Sequence, residues 1–162
     1  MKKIIFFFSF LFVSIVNAQT TFDFETPHPP VVPIYVEVKD NVTLTVTTDV
    51  FFEQVFSAGE PGVSGFFLIT PSESITVFNF SEPVIVNSIT FFNHLGSPNI
   101  FHFLPDPGPT PNPPVDFIYP DQSPPDNKVT LNWVDVLSFT VIADIPGAVS
   151  AFDNLVINDI SA

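Results

Sequence analysis

Val42-Thr43-Leu44-Thr45-Val46-Thr47 alternates aliphatic and hydroxyl side chains without a break. On an extended chain successive side chains point to opposite faces, so Val42, Leu44 and Val46 share one side and three threonines the other. This is the pattern of a half-buried strand. A row of threonines also suits an ice-binding face, but one such strand makes no array, so the threonines are read as facing solvent.

The same texture extends in both directions. Val, Ile, Thr and Phe dominate short runs punctuated by Pro, Gly, Asn, Asp and Ser. Strands are predicted at 21–25, 34–39, 42–48, 65–69, 74–80, 84–92, 100–103, 129–133, 136–142 and 151–157. No window of helical length carries a 3.6-residue period with start and stop signals. About ten short strands in one domain predict an all-β fold, a two-sheet antiparallel β-sandwich of jelly-roll type.

One stretch breaks the texture. Residues 104–127 hold nine of the 18 prolines. Proline lacks the amide donor of a central ladder, so this segment is predicted to be a long, stiff, Pro-rich loop. Long loops in compact domains are usually functional or disordered. Val115-Asp116-Phe117-Ile118-Tyr119 lies within it and offers apolar side chains to pin the loop to the sandwich.

The ends of the chain differ in purpose. Lys2 and Lys3 precede an apolar run from Ile4 to Val16, and Val16-Asn17-Ala18 ends in small residues. Residues 1–18 therefore read as a secretory signal peptide, leaving 19–162 as one domain in an exported protein. The run is too short to span a bilayer, and no later segment is long enough, so no membrane insertion is expected. Removing it leaves Lys39 and Lys128, with no Arg, against 17 carboxylates. Such a surface repels phosphate backbones, which argues against nucleic-acid partners. With no Cys, disulfide scaffolds, thiolate zinc sites and cysteine nucleophiles are excluded.

Two terminal motifs are the most specific feature. Thr21-Phe22-Asp23-Phe24-Glu25 follows the signal peptide, and Ala151-Phe152-Asp153-Asn154-Leu155-Val156-Ile157 comes close to the last residue. In these motifs the chain resembles the calcium-containing jelly-roll modules of the carbohydrate-binding and galactose-binding-like superfamily. The resemblance implies first and last strands side by side with a structural calcium near them. It makes Glu25 and Asp153 candidate metal ligands, helped by Asp23 and backbone carbonyls. Where that pattern has a second acid after Asp153, this chain has Asn154.

Aromatic residues are the second clue. Phe51-Phe52, Phe66-Phe67 and Phe91-Phe92 are adjacent pairs, and alternation predicts that one of each points outward. An outward Phe forgoes roughly 1.5–3 kcal/mol of burial, so several imply a cover or a partner. Trp133, between Asn132 and Asp135, and Tyr119 are the candidate sugar-stacking rings. A core Trp and a loop-anchoring Tyr remain the alternatives.

Catalytic signals are poor. Gly62-Val63-Ser64-Gly65 lacks the strand-to-helix context of a nucleophile elbow. His28, His94 and His102 match no metal-binding spacing. The expectation is a secreted, non-catalytic module that binds an extracellular polysaccharide through Trp133, Tyr119, Asn132 and Asp135. The competing expectation is an adhesive or structural protein that joins another extracellular protein through exposed Phe.

Overall fold

The computed structural model describes residues 19–27, 29, 32–56, 65–70, 75–93, 98–108, 110–119, 127–145 and 149–159. Residues 1–18, expected to be a signal peptide, His28, His94, most of the Gly62-Val63-Ser64-Gly65 segment and the second proline cluster at Pro124-Pro125 lie outside them. The described residues form nine strands and no helix: β1 (Gln19–Phe22), β2 (Val32–Lys39), β3 (Val42–Phe56), β4 (Phe66–Thr70), β5 (Thr76–Asn93), β6 (Asn99–Asp106), β7 (Val115–Tyr119), β8 (Lys128–Ala143) and β9 (Ser150–Asp159). Every pairing is antiparallel. The neighbour order is β1-β9-β4-β3-β5-β8-β6-β7, with β2 on β3 and a further β5–β9 pairing.

Local chemistry explains the hairpin that contains the Val/Thr run. Asp40 (φ 49°) and Asn41 (φ 68°) form a two-residue connection flanked by the Lys39–Val42 pair. Positive φ at both central residues gives a turn whose twist matches that of the strands, and Asp and Asn tolerate it better than most residues. Val42, Leu44 and Val46 are buried as the alternation requires.

Two long strands change partners along their length. β3 pairs with β5 up to Thr48 and with β2 as far as Phe52, then with β4 from Glu53 onward. β5 pairs with β3 at its start and with β9 from Val84 to Asn93. Because β4 also pairs with β9, the hydrogen-bonded circuit β3-β4-β9-β5 closes on itself.

The ten predicted strands become nine for stated reasons. Segments 74–80 and 84–92 are one element, β5, whose register with β8 slips between Asn79 and Val84. Ser81-Glu82-Pro83 lies in that slip, and Pro83 has no amide to donate. Segments 129–133 and 136–142 are likewise one strand, β8. The Pro-rich stretch is not a single loop. β6 runs on to Asp106, and Val115–Tyr119 is a strand paired with β6. Phe117 of β7 is buried opposite Phe101.

Half of the main core cluster is aromatic. Phe91 has the rings of Phe101, Phe103, Phe117 and Phe152 within 4.7–5.4 Å, three of them edge-on. Phe78 stacks on Phe139 at 4.4 Å. These offset and edge-on contacts suit the ring quadrupole. A second, smaller cluster joins Phe67, Ile69, Phe92 and Ala151. It corrects the expectation for the Phe pairs. Phe66 is exposed and Phe51 half-buried, but Phe91 and Phe92 are both buried because β5 has apolar neighbours on both faces there.

Candidate functional site

β1 lies beside β9, with Phe22 opposite Leu155, so the terminal motifs meet. Their carboxylates have other partners. Asp23 Oδ1 sits 2.7 Å from the Lys39 ammonium. Burial pushes the Asp23 carboxyl up, but the hydrogen bond and charge of Lys39 outweigh it and hold the group below its ordinary value. Glu25 Oε1 accepts the Phe66 N–H at 2.7 Å. A β-carbon on Gly65 would overlap that carboxylate, and Gly65 has φ 78°, so the sequence has glycine there. Asp153 is fully buried and accepts the Asn154 backbone N–H at 2.7 Å and the Asn154 side-chain amide at 2.9 Å.

A calcium shell takes six to eight oxygens. Among the described residues no group of three or more acids and histidines comes together to hold a metal ion. The partners of these acids are protein groups: Lys39 for Asp23, the Phe66 N–H for Glu25 and Asn154 for Asp153. Lys39 instead holds the β1–β2 region: it also contacts Glu37 Oε1 at 3.1 Å and donates to Thr21 O at 2.9 Å. Glu37 is buried and accepts from the Tyr35 hydroxyl and the Phe24 N–H. Its burial raises the carboxyl above the ordinary range, with Lys39 only partly opposing this. Sequence reading passed over Glu37, whose only signal is a carboxylate on the side of β2 opposite Ile34, Val36 and Val38.

Trp133 is fully buried, not a stacking platform. Its indole N–H donates to Pro113 O at 2.8 Å, and its ring meets Phe139 at 5.8 Å. Asn132 (φ 53°) and Asp135 (φ 57°) flank it, both exposed. Between the Val84–Val136, Val86–Trp133 and Ser88–Thr130 pairs, β8 twice uses three residues against two of β5. Asn132 and Asp135 are thus the extra residues of two β-bulges, placed where an L-residue must turn left-handed. Asn154 (φ 44°) sits in a similar β9 slip between Ser88 and Thr90 of β5.

Tyr119 is the candidate ring that reaches a concave surface. It lines an open pocket of about 260 Å³ with Ile100 and Ile118 beside it. Pro98, Asn99, Asp144 and Ile145 complete the wall. Two backbone-like clamps hold this end of the sheet. The buried Asn99 side chain donates to Ile145 O at 2.7 Å and accepts the Ile145 and Ile100 N–H groups at 3.1 and 2.8 Å. Asp144 N donates to Ile100 O at 2.9 Å. Asn112, also buried, treats Val134 in the same way, bonding its N–H and C=O at 2.8 Å each and fixing the proline segment over β8.

Beside the pocket, His102 Nδ1 lies 2.7 Å from Asp116 Oδ1 and Nε2 lies 2.7 Å from Asp144 Oδ1. A carboxylate only accepts, so filling both contacts requires both ring nitrogens to donate, as in imidazolium. The hydrogen bond to Asp144, then that to Asp116, raises the His102 pKa above its ordinary value. A ring held this way has no free lone pair with which to act as a base. The sequence showed these residues but not that pairing β6 with β7 and β8 brings them together.

The exposed Phe residues among those described are Phe56 and Phe66, which meet edge-on at 5.3 Å. Among the described residues no helix is long and apolar enough to cross a membrane. Comparison with protein-family models, curated proteins and solved structures finds no match to this chain.

Proposed function

We propose that the chain is a secreted, non-catalytic binding module of the carbohydrate-binding kind, folded as a two-sheet jelly roll, that takes an extracellular polysaccharide at the Tyr119 pocket. The observation that carries this reading is the pairing of one accessible aromatic ring with an aliphatic wall and polar groups at its rim. Tyr119, Ile100, Ile118 and Ile145 offer apolar surface to the C–H face of a sugar. Asp144 and Asp116, both at least half exposed, offer hydroxyl acceptors. The volume is below the roughly 300–1,000 Å³ of drug-sized sites, which suits one ring of a polymer whose other rings stay in solvent. Trp133, Asn132 and Asp135 take structural roles in this reading, and calcium has none.

The absence of catalysis is part of the proposal. Its support is that His102, the imidazole beside the pocket, is occupied on both nitrogens. The test is affinity gel electrophoresis of the protein through soluble neutral and acidic polysaccharides. Retardation by one class, lost in Tyr119→Ala while the fold persists, supports the reading. Equal mobility in every gel, or retardation untouched by Tyr119→Ala, overturns it.

A further inference from the structure

The Tyr119 pocket and the His102 link occupy successive rows on one face of the sheet. Ile100 of β6 lies opposite Ile118 of β7, and both line the pocket. Asp144, just past the end of β8, joins that row by giving its N–H to Ile100 O at 2.9 Å. Two residues along β6, on the same half-buried face, comes His102, between Asp116 of β7 and Ile142 of β8. Its Nδ1 meets the carboxylate in its own row, and its Nε2 meets the Asp144 carboxylate in the pocket row. One side chain thus ties together the three strands that supply the pocket wall.

A neutral imidazole cannot make both contacts. It carries a single N–H, so one carboxylate then faces a lone pair instead of a donor. Asp144 either loses its donor outright or keeps an Nε2–H that lacks the charge strengthening the bond. The two carboxylates also lose the cation between them. Both are at least half exposed, so each turns to water at little cost.

We infer that His102 makes ligand binding at the Tyr119 pocket pH-dependent. As imidazolium it fixes Asp144 and the β6–β7–β8 wall in the binding geometry, and loss of its proton releases them. This regulation rests on the Tyr119 reading of the site. His102 is a positioning residue, since it acts on the ligand through Asp144.

The sign follows from the contacts. Hydrogen bonds to Asp144 and then to Asp116 raise the His102 pKa, so the imidazolium outlasts the ordinary histidine value of about 6.5. Binding is full below the folded value and falls as pH rises through it. Among the described residues, few titratable groups surround the ring. β7 presents Asp116 and, at its end, Tyr119, while β8 presents Thr140 and Ile142 before Asp144. On β6 the next acid is Asp106, opposite Ser138 and about 13 Å further along. Holding one side chain in place is worth about 2- to 10-fold in affinity. By linkage, a bound ligand strengthens the hold of His102 on its proton by the same factor.

NMR of the whole protein between about pH 5.5 and 9 tests this with and without ligand. Without ligand, the amides of Ile100, Ile118 and Asp144 are expected to shift with the same midpoint as the His102 ring. Amides that ignore that titration overturn the proposal, whatever the pocket binds. With neutral oligosaccharides of glucose, mannose and galactose as probes, affinity is expected to fall about 2- to 10-fold across the midpoint. His102→Gln is expected to give a flat profile at the weaker affinity, with an unchanged circular dichroism spectrum. A pH dependence that persists in His102→Gln belongs to another group and overturns the proposal. Asp116→Asn keeps the ring but removes one carboxylate, so its midpoint is expected at lower pH, and an unmoved midpoint contradicts the proposal. Equal affinity at every pH overturns the proposal and leaves the Tyr119 reading standing, whereas no binding at any pH overturns both.

Discussion

Trp133 gives its indole N–H to Pro113 O and its ring to Phe139, with no surface left for a ligand. Trp133→Ala is therefore expected to cost about 3–5 kcal/mol of stability by urea unfolding, the range for emptying a core aromatic site. A cost near zero would return the ring to the surface. The polar residues beside it act through the backbone. Asn132 turns left-handed in a bulge, a conformation that costs an ordinary L-residue roughly 1–2 kcal/mol. Asn132→Gly is expected to leave the melting temperature nearly unchanged, and Asn132→Val to lower stability by about that amount. Equal effects would contradict the assignment. An Asn-Trp-Val-Asp run reads alike as a sugar platform and as two bulges around a core ring, because the register that separates them is set by β5.

β8 and β7 show what local pattern leaves out at the scale of elements. Alternation placed the Val42-to-Thr47 strand and its burial correctly, since one buried face fixes that register. It divided β5 and β8, because slips at Pro83 and at Asn132 and Asp135 interrupt the alternation without ending the strand. It hid β7 among prolines, although Val115 to Tyr119 alternates well enough to pair with β6. The His102 link belongs to this scale too, since it joins β6 to β7 and to the end of β8. Its folded pKa is raised, so its contribution is complete below the unfolded histidine value of about 6.5 and is lost as pH rises through the folded value. Melting curves are expected to show His102→Gln as destabilised at pH 5.5 and closer to wild type at pH 9. A gap that widens with pH would contradict the imidazolium assignment.

At the scale of the whole molecule, the composition acquires a spatial meaning. Lys39 is spent within the fold, on Asp23, Glu37 and Thr21, rather than on a partner. The terminal motifs meet through β1 and β9, and their acids are held by Lys39, Phe66 and Asn154. The pocket could not be read from sequence because its walls come from β6, β7 and the end of β8. Only Tyr119 stood out there, and it did so as a residue type. The central claim, that a saccharide seats on Tyr119, is tested most directly by amide NMR of the protein titrated with neutral oligosaccharides. The account expects saturating shifts concentrated at Ile100, Ile118, Tyr119 and Asp144, absent in Tyr119→Ala. Shifts centred on Asn132 and Asp135, or none at the pocket at millimolar ligand, would contradict it.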